Sequence, residues 1–415
     1  EEILINVTPP ETRVVLIENG VLQEIIIERK SRRGLVGNIY RGKVCRVLPG
    51  MQAAFVDIGL ERAAFLHASD ISNGDTESRT DQINELVREG DMVVVQVVKD
   101  PLGSKGARLT TSLSIPSRYL VFMPGMHNIG VSQKIEADQE RQHLRGVLGS
   151  FVDETECDGG FIARTAAEGV SEESLRGDMR FLARLWQSIQ ERALSSKEIA
   201  LIHEDLQLAM RALRDLVGPD VERIRIDSRS TYLKSREFVV PRIPDVLPRL
   251  EYYPGERPLF DLYGVEDEIQ KALERKVQLK SGGHLVIDQT EAMTTIDVNT
   301  GAFVGHRNLE ETIFKTNLEA AQAICRQLRL RNLGGIIIID FIDMSEEEHK
   351  RQVMRALEKC LAKDHAKTHI SEVSSLGLVE MTRKRTRESL EHILCETCSC
   401  CAGRGSVKTA ETTCY

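Results

Sequence analysis

Asp297, Asn299 and Asp340 are the residues best suited to chemistry in this chain. Asp297 closes the run MTTID and Asp340 closes GGIIIID, so each carboxylate ends an apolar, β-branched stretch that reads as a strand. Four consecutive isoleucines predict a fully buried strand, where a carboxylate is costly unless it is hydrogen-bonded or holds a cation. Asp297 and Asn299 are two positions apart and share one face of a strand. Two carboxylates and a carboxamide form a hard, all-oxygen set that suits Mg²⁺, or Mn²⁺ in its place. The substrate class such an ion serves is the phosphodiester. A blander reading stands beside this one, because an Asp after a strand also forms turns and caps helices. Asp343 is a second candidate of that kind, as a cap for the following helix.

The elements around these residues must bring them together. A long helix is predicted around residues 309–331, between the two acidic strands. A strand–helix–strand unit makes its strands parallel and puts both carboxyl ends on one edge. Open α/β sheets place their ligands at that edge. The next helix is expected to begin at Ser345, a capping residue followed by glutamates. TRKRTRESLEHIL reads as a basic helix leading into a cysteine cluster. At the other end of the chain, TRVVLIENG and VLQEIIIER predict a hairpin turning at Asn19-Gly20.

The chain has 415 residues, 41% of them hydrophobic, which suits roughly two to four domains of about 100–150 residues. A formal net charge of -8 argues against a uniformly basic coat for nucleic acid but leaves room for a local basic groove. No run reaches the roughly 18 apolar residues of a membrane helix. The acidic start EEILINVTPPETR lacks the basic and apolar regions of a signal peptide. A soluble, cytoplasmic protein is expected. Four of the nine cysteines, Cys395, Cys398, Cys400 and Cys401, crowd into seven residues. That distribution points to a metal site rather than a secreted disulfide framework.

Residues 35–112 read as short strands separated by Gly and Pro, which suits a five-stranded barrel. The string NIYRGKVCRVLPGMQAAFVDIG, with AAFLHASD and DMVVVQVV after it, resembles an S1 domain, an RNA-binding member of the OB-type barrels. Phe55 and Phe65 are candidates for base stacking, with Lys43, Lys99, Lys105 and Arg108 for phosphate contact. The alternative for both rings is filling the barrel core. In GGFIARTAAEG, Arg164 and Thr165 end a strand before a turn, where a guanidinium and a hydroxyl suit a terminal phosphate. A solvated Arg and a capping Thr are the default reading.

Together with KGARLTT, DQTEAMTTIDVNTGAFVG, LRNLGGIIIIDFIDM and the terminal cysteines, these strings resemble the ribonuclease E/ribonuclease G family in order along nearly the whole chain. The chain stops soon after the cysteines, without a long disordered scaffold arm, which favours the G branch. The resemblance implies a multidomain α/β fold. An RNase-H-like subdomain, residues 1–35 and 209–272, is split by an S1 barrel at 36–112 and a 5′-sensor domain at 113–208. A DNase-I-like catalytic subdomain at 273–394 and a zinc-link with tail at 395–415 follow.

The implied activity is Mg²⁺-dependent endonucleolytic cleavage of single-stranded, A/U-rich RNA to 5′-phosphate and 3′-hydroxyl products. It would act in ribosomal RNA maturation, at the 16S 5′ end, and in messenger RNA decay, stimulated by a 5′-monophosphate. The family's metal-binding aspartates fall on Asp297 and Asp340, and its catalytic asparagine on Asn299. Its RNA-binding positions fall on Phe55, Phe65 and Lys105, and its sensor on Ser117, Val121, Arg164, Thr165 and Lys367. Lys367 keeps the charge of an arginine in the ribonuclease E type but not its planar fork, and Ser117 replaces a glycine of that type. The family's structural zinc, shared between two chains of a homodimer or tetramer, maps onto Cys398 and Cys401. A reading of a different class is a non-catalytic S1-type RNA-binding factor, and a third is a DNA or small-molecule phosphodiesterase.

Overall fold

Strands Glu11–Glu18 and Val21–Arg29 form the predicted hairpin. Asn19 and Gly20 have φ of 51° and 75°, the mirror-image turn whose twist matches paired strands. The computed structural model describes residues 1–71, 82–101, 105–155, 158–301, 309–371, 373–374 and 377–401, with 403, 405, 409 and 412 beyond them. Residues 302–308, which include the last four residues of the string DQTEAMTTIDVNTGAFVG, lie outside the described residues.

The hairpin's neighbour, Glu2–Val7, finds its other partner far along the chain. It pairs in parallel with Arg223–Ile226, which in turn pairs in parallel with Leu250–Tyr252. Ile3, Leu4 and Ile5 are all fully buried because both faces of this five-stranded sheet are covered. Helices Leu208–Asp215 and Arg229–Val239 take one face. Helices Leu259–Leu262 and Val265–Leu273, with Leu330 and Leu390 from the last part of the chain, take the other.

Strands Ile39–Leu48, Ala53–Asp57, Ala64–His67, Arg108–Thr110 and Met92–Lys99 close into a barrel, and Ala200–His203 adds to the outside of the first. Its interior is Val44, Val56, Ala64, Leu66, Val95 and Leu109. The close approach at Gly106 admits no side chain, since a Cβ there would lie 2.1 Å from the Ala63 carbonyl oxygen. A third sheet, Gly130–Val131, Gly159–Ala163, Leu120–Pro124 and Ile115–Pro116, packs under helices Asp138–Thr155 and Glu172–Ser195.

The last sheet runs Lys276–Gln278, His284–Gln289, Met293–Asn299, Gly335–Asp340, Val379–Arg383, Thr368–Ile370. Helices Leu309–Leu330 and Glu347–Leu361 share a core with one face of it. The isoleucine run therefore alternates instead of being buried throughout: Ile337 and Ile339 are fully buried, while Ile336 is 48% exposed. Asp340 itself is exposed.

Two helix expectations also change. The helix after the second acidic strand begins at Glu347, and neither Ser345 nor Asp343 caps it. Glu310, from the crossover helix, accepts the amides of Ser345 and Glu346 instead, at 2.9 and 3.2 Å. The basic segment 382–394 is helical only over Leu390–Leu394. Its start belongs to the sheet, where Arg383 forks onto buried Asp364 at 2.7 and 3.1 Å and donates to the Leu333 carbonyl.

Candidate functional site

The parallel pairing of Met293–Asn299 with Gly335–Asp340 sets Asp297 directly opposite Asp340. Register partners in a sheet point to the same face, and here that is the face opposite the helices. Asn299 Nδ2 donates to Asp297 Oδ2 at 2.8 Å. Partial burial, then the charges of Asp297 and Asp343, raise the Asp340 carboxyl above the usual carboxylate range. Among the described residues no lysine or arginine forms an ion pair with Asp297, Asp340 or Asp343. A like-charged group of this kind, with oxygen donors and no internal counter-ion, fits a hard divalent cation. The loop after Asp340 is pinned by Asn317, whose carboxamide donates to the Ile342 carbonyl and accepts the Ile342 amide at 2.7 and 3.1 Å.

On the barrel, Phe55 and Phe65 are excluded from the interior. They are half-buried register partners, with ring centroids 6.1 Å apart and planes at 70°. The row continues on both sides: Arg46 opposite Phe55, Arg108 opposite Phe65, and Lys99 opposite Arg108. Irregularities between Val44 and Arg46 and between Val97 and Lys99 bring those two cations into the row. Arg46 was not among the candidates, because such a bulge leaves no mark in an alternating pattern. Arg108 is less available than its charge suggests, since it forks onto Asp70 at 2.8 and 3.2 Å. Lys43, Lys99 and Lys105 are exposed. Rings flanked by cations on one barrel face make a stacking surface for bases with adjacent phosphate contacts.

Arg164, Thr165 and Ser117 come together at the third sheet. Arg164 Nη1 donates to the Ser117 carbonyl at 2.6 Å and lies 2.7 Å from Asp215 Oδ1. Thr165 Oγ1 and Ser132 Oγ are 3.1 Å apart. Val121 pairs with Pro116 beside them. Asp215 also takes Arg214, which reaches Asp205. Burial opposes charge on Asp215, but Arg214 and Arg164 outweigh it and hold the carboxyl below its ordinary range. Asp215 sits at the end of a helix with no pattern to suggest a partner fifty residues upstream. Lys367 is exposed in the loop just before strand Thr368–Ile370 of the last sheet, three residues after Asp364, whose carbonyl accepts from Lys134 Nζ at 3.4 Å.

In the tail, Cys395, Cys398 and Cys400 are exposed. Amide donors from Cys401 and Cys400, and then the Cys401 side chain, lower the Cys398 thiol below its ordinary value. Backbone amides that favour a thiolate suit a zinc ligand, which binds deprotonated. Among the described residues no group of three or more His, Cys, Asp or Glu side chains is arranged to hold a metal.

A barrel face of rings and cations, together with an all-oxygen carboxylate pair on the open face of a sheet, suits a class: enzymes that act on nucleic-acid phosphodiesters. Residues 114–386 match the Ribonuclease E/G family, and residues 35–110 match the S1 RNA binding domain. The chain is 61% identical over 422 residues to Ribonuclease G of Salmonella typhimurium (strain SL1344), and 60% to Ribonuclease G of Escherichia coli (strain K12). Each alignment spans 100% of this chain and 86% of the relative. It is 40% identical to Ribonuclease E of Escherichia coli (strain K12), over 99% of this chain and 39% of that protein. The chain belongs to the ribonuclease E/G family. It is an endoribonuclease of RNA processing and decay, with an S1-type barrel inside a mixed α/β multidomain fold.

Proposed function

We propose that this endoribonuclease hydrolyses single-stranded, A/U-rich RNA at Asp297, Asn299 and Asp340, leaving 5′-phosphate and 3′-hydroxyl ends. The observation that carries this reading is the register pairing of Asp297 with Asp340. The two carboxylates would hold Mg²⁺, or Mn²⁺, which when bound polarises a phosphoryl oxygen and lowers the pKa of a water. Asn299 gives its amide hydrogen to Asp297, so its carbonyl oxygen is left to orient water or phosphate. Phe55 and Phe65 stack bases, with Lys99 and Lys105 at the backbone. Arg164 and Thr165 receive a 5′-monophosphate, with Ser117 and Val121 forming the wall and Lys367 supplying charge from the loop before strand Thr368–Ile370.

The first sheet, with its three antiparallel strands and two added in parallel, is read as the RNase-H-like subdomain, and the last sheet as the DNase-I-like one. Cys398 and Cys401 of two chains would share a structural Zn²⁺ in a homodimer, which tetramers could extend. The physiological substrates are ribosomal RNA precursors, including the 16S 5′ end, and messenger RNA, in the cytoplasm. No helix among the described residues is long and apolar enough to cross a membrane.

The test is cleavage of one short A/U-rich RNA carrying either a 5′-monophosphate or a 5′-hydroxyl, with Mg²⁺ or EDTA, beside Asp340→Asn. Internal cuts that need both Mg²⁺ and Asp340, and run faster on the monophosphate, are expected. Equal cutting by Asp340→Asn would place the chemistry elsewhere.

A further inference from the structure

A cavity of about 180 Å³ lies where the barrel, the third sheet's helix Glu172–Ser195 and helix Arg229–Val239 meet. It adjoins the Arg164 cluster: Arg214 and Asp205 also line it, and Ser117 belongs to both, its carbonyl facing Arg164 while its hydroxyl donates to Asp178 in the cavity lining. Ile39, Ile115, Phe181 and Phe238 give it apolar walls. Three arginines line it: Arg214 is paired with Asp205 and Asp215, Arg118 donates to the Leu213 and Val217 carbonyls, and Arg242 has the least compensation. The Arg242 guanidinium is sandwiched between the rings of Phe181 and Phe238, at 4.6 and 4.7 Å. Among the described residues its guanidinium donates one hydrogen bond, to the Phe238 carbonyl at 3.3 Å, and its buried Nε has no partner. Among the described residues no carboxylate forms an ion pair with it. Asp178 is in the lining, but its Oδ2 already takes the Ser117 hydroxyl and the Tyr119 amide. Burial lowers the Arg242 pKa, and Asp178 only partly opposes that. His203, also in the lining, is held toward its neutral form by burial.

A half-buried cation without a paired anion leaves interaction energy unrealised, and rings stacked on a guanidinium replace only part of it. The space is close to the roughly 150 Å³ that accepts a benzene molecule. We propose that this junction is a binding site for a small aromatic carboxylate of benzoate size, with the carboxylate on Arg242 and the ring among Ile39, Ile115 and Phe181. A ligand here touches all three units at once and stiffens their junction.

The test uses the full chain, with titration calorimetry and thermal melts in sodium benzoate, benzyl alcohol and sodium acetate. Benzoate is expected to bind one per chain and raise Tm with concentration, while the neutral alcohol and the ringless acetate each bind at least roughly tenfold more weakly. Arg242→Gln should weaken benzoate by about the same factor. Leu206→Trp, which fills the cavity from a loop, should abolish binding while the protein still melts cooperatively, and this keeps the proposal testable if the arginine variant does not fold. No binding to the native protein, alcohol binding as tight as benzoate, or undiminished benzoate binding by Leu206→Trp would each overturn it.

Discussion

Asp297 and Asp340 sit side by side on adjacent parallel strands, both exposed, on the sheet face that the helices leave uncovered. Their mutual repulsion is a cost in the absence of a cation, since Asp297 and Asp343 both push the Asp340 carboxyl upward. Asp340→Asn is therefore expected to raise Tm slightly without divalent metal and, on the proposed Mg²⁺ site, to show a smaller rise on adding Mg²⁺ than the native protein does. Cleavage should fall by roughly 10³-fold or more, as expected for losing several kcal/mol of charge stabilisation in the transition state. Melts with and without Mg²⁺, and single-turnover cleavage, check the two halves separately.

The barrel row predicts two different signatures. Phe55→Ala and Phe65→Ala each remove a stacking platform and should weaken single-stranded RNA by about 1–3 kcal/mol. Lys99→Ala should weaken all sequences alike and lower the slope of log K against log salt by about 0.7. Arg46→Ala should behave like Lys99→Ala because the strand irregularity puts it in the same row. Fluorescence anisotropy across a salt series distinguishes the classes.

Arg164 is held by the Ser117 carbonyl and by Asp215. Arg164→Gln should bring the ratio of 5′-monophosphate to 5′-hydroxyl cleavage close to one. Asp215→Asn should lower it by less, because the Ser117 contact remains. Asp215 titrates below its ordinary 3.8 in the folded protein, so its contribution to stability is present above that value and lost as pH falls through the lower folded value. Asp215→Asn should thus reduce the acid sensitivity of the native protein in that window, read from urea melts between about pH 2 and pH 5.

The Arg383–Asp364 pair is almost fully buried, with side chains 5% and 3% exposed. Asp364→Ala strands a guanidinium in the interior and should cost about 3–5 kcal/mol. A drop in the denaturant midpoint checks this. A shift under about 1 kcal/mol, the range of an exposed pair, would mean water reaches the site.

On the proposed zinc link, Cys398→Ser together with Cys401→Ser should abolish zinc binding and halve the mass measured by light scattering. An unchanged mass with no bound zinc would show that the oligomer is held elsewhere.

Much of this organisation was legible in the chain as written. The hairpin turn at Asn19-Gly20 and the long crossover helix follow from local rules, because positive-φ residues and a 3.6-residue apolar period act within a few positions. The types of the candidate site residues were likewise visible at the ends of apolar runs. Only the tertiary structure decided that Asp297 faces Asp340, because strand register depends on where a 22-residue helix lets the chain return. It also decided that Phe55 and Phe65 point outward, that Arg46 and Lys99 join their row, and that Glu310 rather than Ser345 receives the first amides ahead of the next helix. Each of these is a contact between residues distant in sequence. Local pattern carries no information about such contacts until the cores have packed and the strands have settled into register.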